Sequence, residues 1–540
     1  QKIHMKKLLY SLLLGSAVAF SSCESKLDEK HSNPDGFTSA EIEYLFTKGA
    51  QKTIENDYAD TWNYNFRLIG NYIQTTARQA GKDRINLYQN IQDDKARWEN
   101  YYVTRMSTLT EIDKIYATLS PEEQTKYQNY IEAGKILKAY NTAIATDFFG
   151  NMPYTEAFTA RNVVYGGTVI FKPKYDTQKD IYYAILDDLK SAAAYFKTAS
   201  GDDTFKRQDI IYKGDCNGWY KFANSLRLRY AMRISNVDPE KARQVLSELS
   251  LDQLITTNAE NTYIKVSGID TAPDGIWRAM RESHNKTHSY YMYAPELTVN
   301  MLKEAADPRL VVFYQPATDN DGNVYENSKE IIGYPSSADK AISLVNGPDG
   351  TRLFEIYGCL NTVTFRNNYQ LPVGIGMTAA EVYLCLAEAA QRGLYNGNAE
   401  EFYNKAVILS VQNYYEYYKN SDAEKGKDMT IANRDVSDET LSNWLATSTF
   451  KFNPSKALEQ IATQKWLHLG FLQIYENWAE YRRTDLPVLD DDRENGTLLN
   501  KENAPVRFLY PAKEASMNTE NYNAQSENNK ISARLWWDTK

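Results

Sequence analysis

Along most of the chain apolar residues recur at spacings of three and four, the period of a helix with one face turned to a core. The clearest case starts at Ser120-Pro121-Glu122-Glu123, where a serine cap and a proline at the first helical position predict a helix start. That helix runs through "YIEAGKILKAYNTAIATDFFG" to Gly150, with Ile131, Ile136, Tyr140, Ile144 and Phe148 along one face. A second helix is predicted over 219–234, with Trp219, Phe222, Ala223, Leu226 and Tyr230 as its apolar stripe and Arg227, Arg229 and Arg233 on the other face. A third covers 379–392 and ends at Gly393; Ala387, Ala389 and Ala390 let a neighbour approach closely. Two more fill 456–483 with a break at Gly470, after which Phe471, Ile474, Tyr475 and Trp478 renew the stripe.

Between about 251 and 376 the pattern changes. Gly, Pro, Asn and Asp become frequent, and short β-like runs appear: "NTYIKV", "IIGYP" and "NTVTF". The fold class that follows is all-α: tetratricopeptide-like helix pairs without a strict 34-residue period, carrying a loop-rich irregular region with a few short strands. Binding surfaces concentrate on such loops when a rigid scaffold holds them.

The N-terminus reads differently from the rest. Met5, Lys6 and Lys7 form a basic start, and "LLYSLLLGSAVAF" (8–20) is an apolar run too short to span a bilayer, so 1–22 is a signal peptide with four residues upstream of Met5. Cys23, preceded by Ser21 and Ser22, resembles the lipobox of bacterial lipoproteins, although Phe20 stands where Leu is usual. Residues 23–38 are polar, with an Asn-Pro-Asp-Gly turn, and are expected to be a lipidated flexible tether. The domain proper is then 39–540. Of the other three cysteines, Cys216, Cys359 and Cys385, the last lies in an apolar helical run and is expected to behave as a small buried hydrophobe.

Composition narrows the function. The 540 residues are 42% hydrophobic and 24% charged, a globular balance, and the net charge of −9 with no basic block argues against nucleic-acid binding. Tyr 41, Phe 19 and Trp 9 make 13% of the chain aromatic; much of this is expected to be helix packing, and a surplus reaching the surface would suit a binding protein. No phosphate loop, dinucleotide fingerprint or nucleophile elbow is present. His284 and His288 have the spacing of a zinc pair, but Asn285 stands where a metalloprotease needs its glutamate, so no metal site is assigned. Asp319, Asp321, Asn323 and Glu330 occupy positions of a calcium loop; Val324 replaces the required glycine, and a hairpin turn at Asp321-Gly322-Asn323 accounts better for the stretch. Asp490-Asp491-Asp492 reads as a solvated loop, and no residue is singled out as catalytic.

Two aromatic and polar clusters remain as ligand-binding candidates. One is Trp62, Asn63 and Tyr64 in "DTWNYNFRLIGNY". The other, in the loop-rich region, is Trp277, Arg278, Arg281, His284, Tyr290 and Tyr291. Flat rings stack on sugar faces, while Arg, Asn and His supply hydrogen bonds to hydroxyls or carbonyls.

Several segments together resemble the SusD/RagB family of nutrient-binding outer-membrane lipoproteins, its second SusD-like branch in particular. They are "ILKAYNTAIATDFFGNMPYTEAF" (136–158), "GWYKFANSLRLRYAMRIS" (218–235), "DPRL" (307–310), "EVYLCLAEAAQRG" (381–393), "TQKWLHLGFLQIYENWAEYRRTDLP" (463–487) and "RFLYPAKEASMNTENYN" (507–523). The resemblance implies a lipid-anchored, surface-exposed protein of the outer membrane that caps a SusC-like TonB-dependent transporter. It further implies capture of an oligosaccharide or an oligopeptide, no enzymatic activity and no cofactor. A surface hydrolase of the same uptake system and a structural or adhesion lipoprotein are the rival readings. Arg482 and Arg483, at the end of an amphipathic helix where cations complement the carbonyl end, are expected to hold the scaffold; Arg229 and Arg233 are expected to pair with a neighbouring helix.

Overall fold

A computed structural model describes residues 41–54, 60–78, 94–264, 276, 279–280, 292–319, 323–335, 355–423, 425–489 and 505–539, with 327 and 367 left out. The signal segment, Cys23, the tether and Asp490-Asp491-Asp492 lie outside the described residues. The longer helices are α1 (Ile42–Ile54), α2 (Met106–Thr118), α3 (Pro121–Phe149), α4 (Gln178–Phe196), α5 (Cys216–Ile234), α6 (Pro239–Ser247), α7 (Glu296–Glu304), α8 (Ala379–Gln391), α9 (Ala399–Lys419), α10 (Asp438–Thr447), α11 (Ala457–Leu469) and α12 (Ile474–Thr484). Consecutive pairs pack side by side: α3 on α4, α4 on α5, α8 on α9, α11 on α12. Contacts of α5 with α8 and of α8 with α11 join these pairs into one scaffold. The fold is the helical one the sequence predicts.

Local chemistry sets the helix ends. Ser120 and Glu123 cap α3 reciprocally, Glu123 N–H donating to Ser120 Oγ at 3.4 Å and Ser120 N–H to Glu123 Oε2 at 3.0 Å. Gly150 ends the helix at φ +71°, a conformation that favours glycine. Beyond Tyr130, α3 is buried on nearly every side rather than on one stripe, because α1, α2, α4 and α5 all pack against it. Thr378 caps α8, whose alanines 387 and 389 are fully buried against α9 and α11. Gly470, at φ +49°, makes the break between α11 and α12.

Two predicted strands take other forms. "NTVTF" forms a helical turn, Thr362–Arg366, because Asn361 Oδ1 accepts from Val363 N–H at 2.9 Å and Thr364 N–H at 3.0 Å and so acts as a helix cap. In "IIGYP" a single parallel bridge joins Tyr334 to Pro295. "NTYIKV" does contain a strand, β2 (Thr262–Ile264), paired antiparallel with β6 (Gly374–Met377). The remaining strands, β1 (Ala77–Arg78), β3 (Met292–Tyr293), β4 (Tyr314–Gln315) and β5 (Cys359–Leu360), form a small sheet in the order β1-β3-β5-β4.

The three arginines expected on the outer face of α5 are all buried. Arg229 grips Glu381 of α8 with two bonds of 2.6 Å, and Arg233 meets Glu476 of α12 at 2.5 Å. Arg483 donates to both oxygens of Glu388 at 2.7 and 2.6 Å and to Glu480 at 2.7 Å; Lys465 of α11 also reaches Glu480, at 2.8 Å. Burial alone would raise the Glu388 carboxyl, but Arg483 and Lys465 outweigh it and hold the group down at about 2. Arg482 stacks 3.6 Å over the Trp478 ring and donates to the backbone oxygens of Asp147 and Val506, each at 2.7 Å. Both arginines therefore serve the scaffold, through partners on other elements more than through the end of their own helix. The C-terminal segment closes the core: Trp537 is fully buried and donates to Asp147 Oδ1 at 2.8 Å. Cys216, Cys359 and Cys385 are buried, Cys385 with Lys465 Nζ 3.3 Å from its sulfur.

Candidate ligand-binding site

Residues 60–78 wind through a π-helix (Asp60–Ile69) and a tight turn into β1. The turn is closed by Thr75 N–H donating to Gly70 O at 2.9 Å, and Gln74 adopts φ +55°, uncommon for a residue with a side chain. Trp466 of α11 donates its indole N–H to Ile73 O at 2.8 Å, and Phe66 packs 5.8 Å from Phe471. These contacts fasten the segment to the helical scaffold.

The second segment approaches from the loop-rich region. Ile276, Ala279 and Met280, spaced i, i+3, i+4, are buried, and the chain then enters β3. β3 pairs antiparallel with β1, Ala77 opposite Tyr293 and Arg78 opposite Met292. Two strands far apart in the chain, each following in sequence one of the aromatic clusters, thus meet at one sheet. β5 continues it, Tyr293 opposite Cys359.

On this sheet Tyr293 stacks on Tyr334 at 4.4 Å with 14° between the rings, and Tyr357 stands edge-on, 5.1 Å from Tyr334. Burial pushes the Tyr293 phenol well above its ordinary range, so it stays a neutral hydroxyl. Tyr334 and Tyr357 carry no mark in the sequence beyond a neighbouring glycine, and the glycines are where the signal lies. A Cβ on Gly333 would come within 2.5 Å of Glu296 Cα, and one on Gly358 within 2.9 Å of Gln315 O, so each tyrosine follows or precedes a close backbone approach.

Of the residues predicted from sequence, Trp62 is 7% exposed, its ring edge-on to Phe66 at 5.9 Å, and it fills the core instead of offering a ring face. A tryptophan in an apolar periodic stretch satisfies the same pattern in either role, which is why the sequence does not separate them. Asn63 and Tyr64 follow it on the same helix, with side chains outside the described residues. Trp277, Arg278, Arg281, His284, Tyr290 and Tyr291 also lie outside them. In the stretch weighed as a calcium loop, Thr318 bridges Val324 antiparallel, and the Asp319 carboxylate accepts from the Asn323 backbone and side-chain N–H groups at 2.9 Å each, the pattern of a hairpin turn. Glu330 lies 3.7 Å from Lys303. Among the described residues no group of three or more His, Cys, Asp or Glu converges on a metal position, and no helix is long and apolar enough to cross a membrane.

Residues 34–511 match the profile of a SusD-like family described as "starch-binding associating with outer membrane". The chain belongs to this SusD-like family. Solved structures share its fold. A SusD-like protein described as "Bacteroidetes AC2a" superposes with a TM-score of 0.73 at 22% identity, over 93% of this chain and 100% of that one. A SusD homolog from Bacteroides fragilis gives 0.71 at 20% identity, covering 92% and 100%. A chitin-binding SusD homolog from Flavobacterium johnsoniae gives 0.68 at 20% identity, covering 92% and 99%. No curated protein matches this SusD-like chain by sequence. Its mostly helical body with tetratricopeptide-like pairs is thus the scaffold common to the family's structures.

Proposed function

We infer that this SusD-like protein is a cell-surface nutrient-binding lipoprotein, the lid of a SusC-like TonB-dependent transporter, and that it captures oligosaccharides for import. The observation that carries this reading is the pairing of β1 with β3, which ties both aromatic-rich segments to one rigid support. The family's description as starch-binding and a structural relative's as chitin-binding favour a glycan over a peptide as ligand. With Trp62 committed to the core, the stacking surface falls to Trp277, Tyr290, Tyr291 and Tyr64, with Asn63, Arg278, Arg281 and His284 as hydrogen-bonding partners.

Trp277→Ala is expected to weaken glycan binding at least about tenfold, about 1.4 kcal/mol, the scale of a lost aromatic anchor. Titration calorimetry with starch- and chitin-derived oligomers checks it; unchanged affinity moves the site off this cluster, and binding of oligopeptides alone replaces the ligand class. Acylation of Cys23 would leave 23–38 as a leash on the membrane. Cys23→Ala should shift the protein from the membrane fraction to the soluble one with an unaltered melting curve, while the wild type extracts in mild detergent together with a large barrel protein. Extraction of the wild type alone would count against the lid.

A further inference from the structure

A second recess lies away from the aromatic sheet and shares no strand with it. It is a cavity of about 1130 Å³ between the short turn Asn258–Glu260, the N-terminal end of α5, the last turns of α9 and residues 434–437. That exceeds the ~300–1,000 Å³ typical of small-molecule sites, so it can hold several units of an oligomer.

Its chemistry is specific. Amide side chains, Asn217, Asn258, Asn261, Gln370, Gln412, Asn413 and Asn420, are as frequent in the lining as charged ones. Each amide carries donors and an acceptor on one group, the same pairing of functions that each hydroxyl of a sugar presents. The charges nearly cancel, with Lys213, Lys221 and Arg434 set against Asp215, Glu260, Glu416 and Asp435, and Lys221 already bound to Glu260 at 2.5 Å. Such a wall does not select a strongly charged ligand.

One side of the recess is preorganised. Asn261 Oδ1 accepts from Ala379 N–H at 2.8 Å, which fixes the orientation of that amide and points its Nδ2 at Tyr263 Oη, 2.7 Å away, and at Asn413 Oδ1, 3.2 Å away. Tyr263 donates to Asn413 Oδ1 at 2.7 Å, and Tyr417 donates to Tyr263 at 2.9 Å. Partners so locked lose little freedom when a ligand arrives. Tyr212 and Tyr263, both half-buried, add ring surface beside the amides. Aliphatic lining is limited to Ile210, Ile211, Pro372 and Val436 alongside Ala259, few sockets for the apolar side chains of a peptide.

We propose that this amide-lined recess is a second carbohydrate-binding site, for a neutral oligosaccharide, independent of the aromatic sheet. A nutrient polymer could then be held at two places on one molecule. The test is hydrogen–deuterium exchange of the full-length protein with chitotetraose, maltoheptaose, xylohexaose or tetra-alanine, each supplied alone. At least one of the sugars is expected to slow exchange in segments 210–221, 258–263 and 412–420. Glu416→Trp, at an exposed position on α9, puts a bulky ring into the recess and should weaken that protection with an unchanged melting temperature. Trp277→Ala should leave it intact, which separates this site from the aromatic one. Protection confined to other segments, protection by tetra-alanine alone, or protection undiminished by Glu416→Trp overturns the proposal.

Discussion

Arg483→Ala is expected to cost about 3–5 kcal/mol of folding stability, the penalty for removing one partner of a buried, hydrogen-bonded ion pair. The side chain makes four charge-assisted bonds, two to Glu388 of α8 and two to Glu480 of its own helix, and is itself buried. Its removal leaves Glu388 with Arg392 at 2.9 Å and Lys465 at 4.0 Å, and Glu480 with Lys465 at 2.8 Å and Arg233 at 3.5 Å, none of them with the two-pronged geometry of the lost guanidinium. Urea unfolding gives the measurement: the midpoint should fall while the slope stays constant. Arg483→Lys keeps the charge but loses the two-pronged grip on Glu388, so a smaller loss is expected. A loss under about 1 kcal/mol for the alanine variant, the value of an exposed pair, would show that the cluster is not closed to solvent.

The second large effect is a loss of stability in mild acid that one histidine dominates. His468 of α11 is buried, within 2.7 Å of Thr378 Oγ1 and 2.9 Å of Ser410 Oγ. Burial, with the Arg309 charge adding to it, pushes its pKa from the ordinary 6.5 down to about 3. The unfolded chain therefore binds a proton that the folded one refuses at any pH between those values. The histidine's contribution is whole above pH 6.5 and declines as pH falls toward 3, at up to about 1.4 kcal/mol per pH unit. Glu388, held near 2, begins to lose its own contribution only below its ordinary 4.5, and the carboxyls that burial raises, Asp147, Asp188, Asp209, Glu381 and Asp538, are common to wild type and variant, so the difference between the two proteins from pH 6 to 5 isolates the histidine. Unfolding free energies at pH 7, 6 and 5 should decline in the wild type and stay flatter in His468→Gln. Equal slopes in the two proteins would remove His468 from the account.

Much of the scaffold is legible in sequence because its signals are local. The start of α3 is written in four residues, its end in one glycine, and the gap between α11 and α12 in another. The arginines of α5 are visible as candidates for ion pairs, but their burial and the identity of Glu381 and Glu476 as partners depend on helices far along the chain. The strands escape detection for the same reason: two residues each for β1 and β3 give no periodicity to read. "NTVTF" reads as a strand on its β-branched residues, and the Asn361 cap overrides that preference. At the candidate site the sequence picks out two aromatic clusters, and only the sheet shows that the strands following them, β1 and β3, pair with each other. It also marks Trp62 as a ligand residue although the ring is packed inside, since burial of a single side chain is a tertiary property.

The pairing of Ala77 with Tyr293 has a consequence for how the molecule reaches its working state. Contacts between residues so distant in sequence give no return until a long loop has been closed, whereas pairs such as α8 and α9 are joined by a few residues and form early. The scaffold shares that dependence, since Trp466 reaches Ile73 and Trp537 reaches Asp147 across still longer loops. Circular dichroism would therefore report helices that form locally, and not whether either set of long-range contacts has closed.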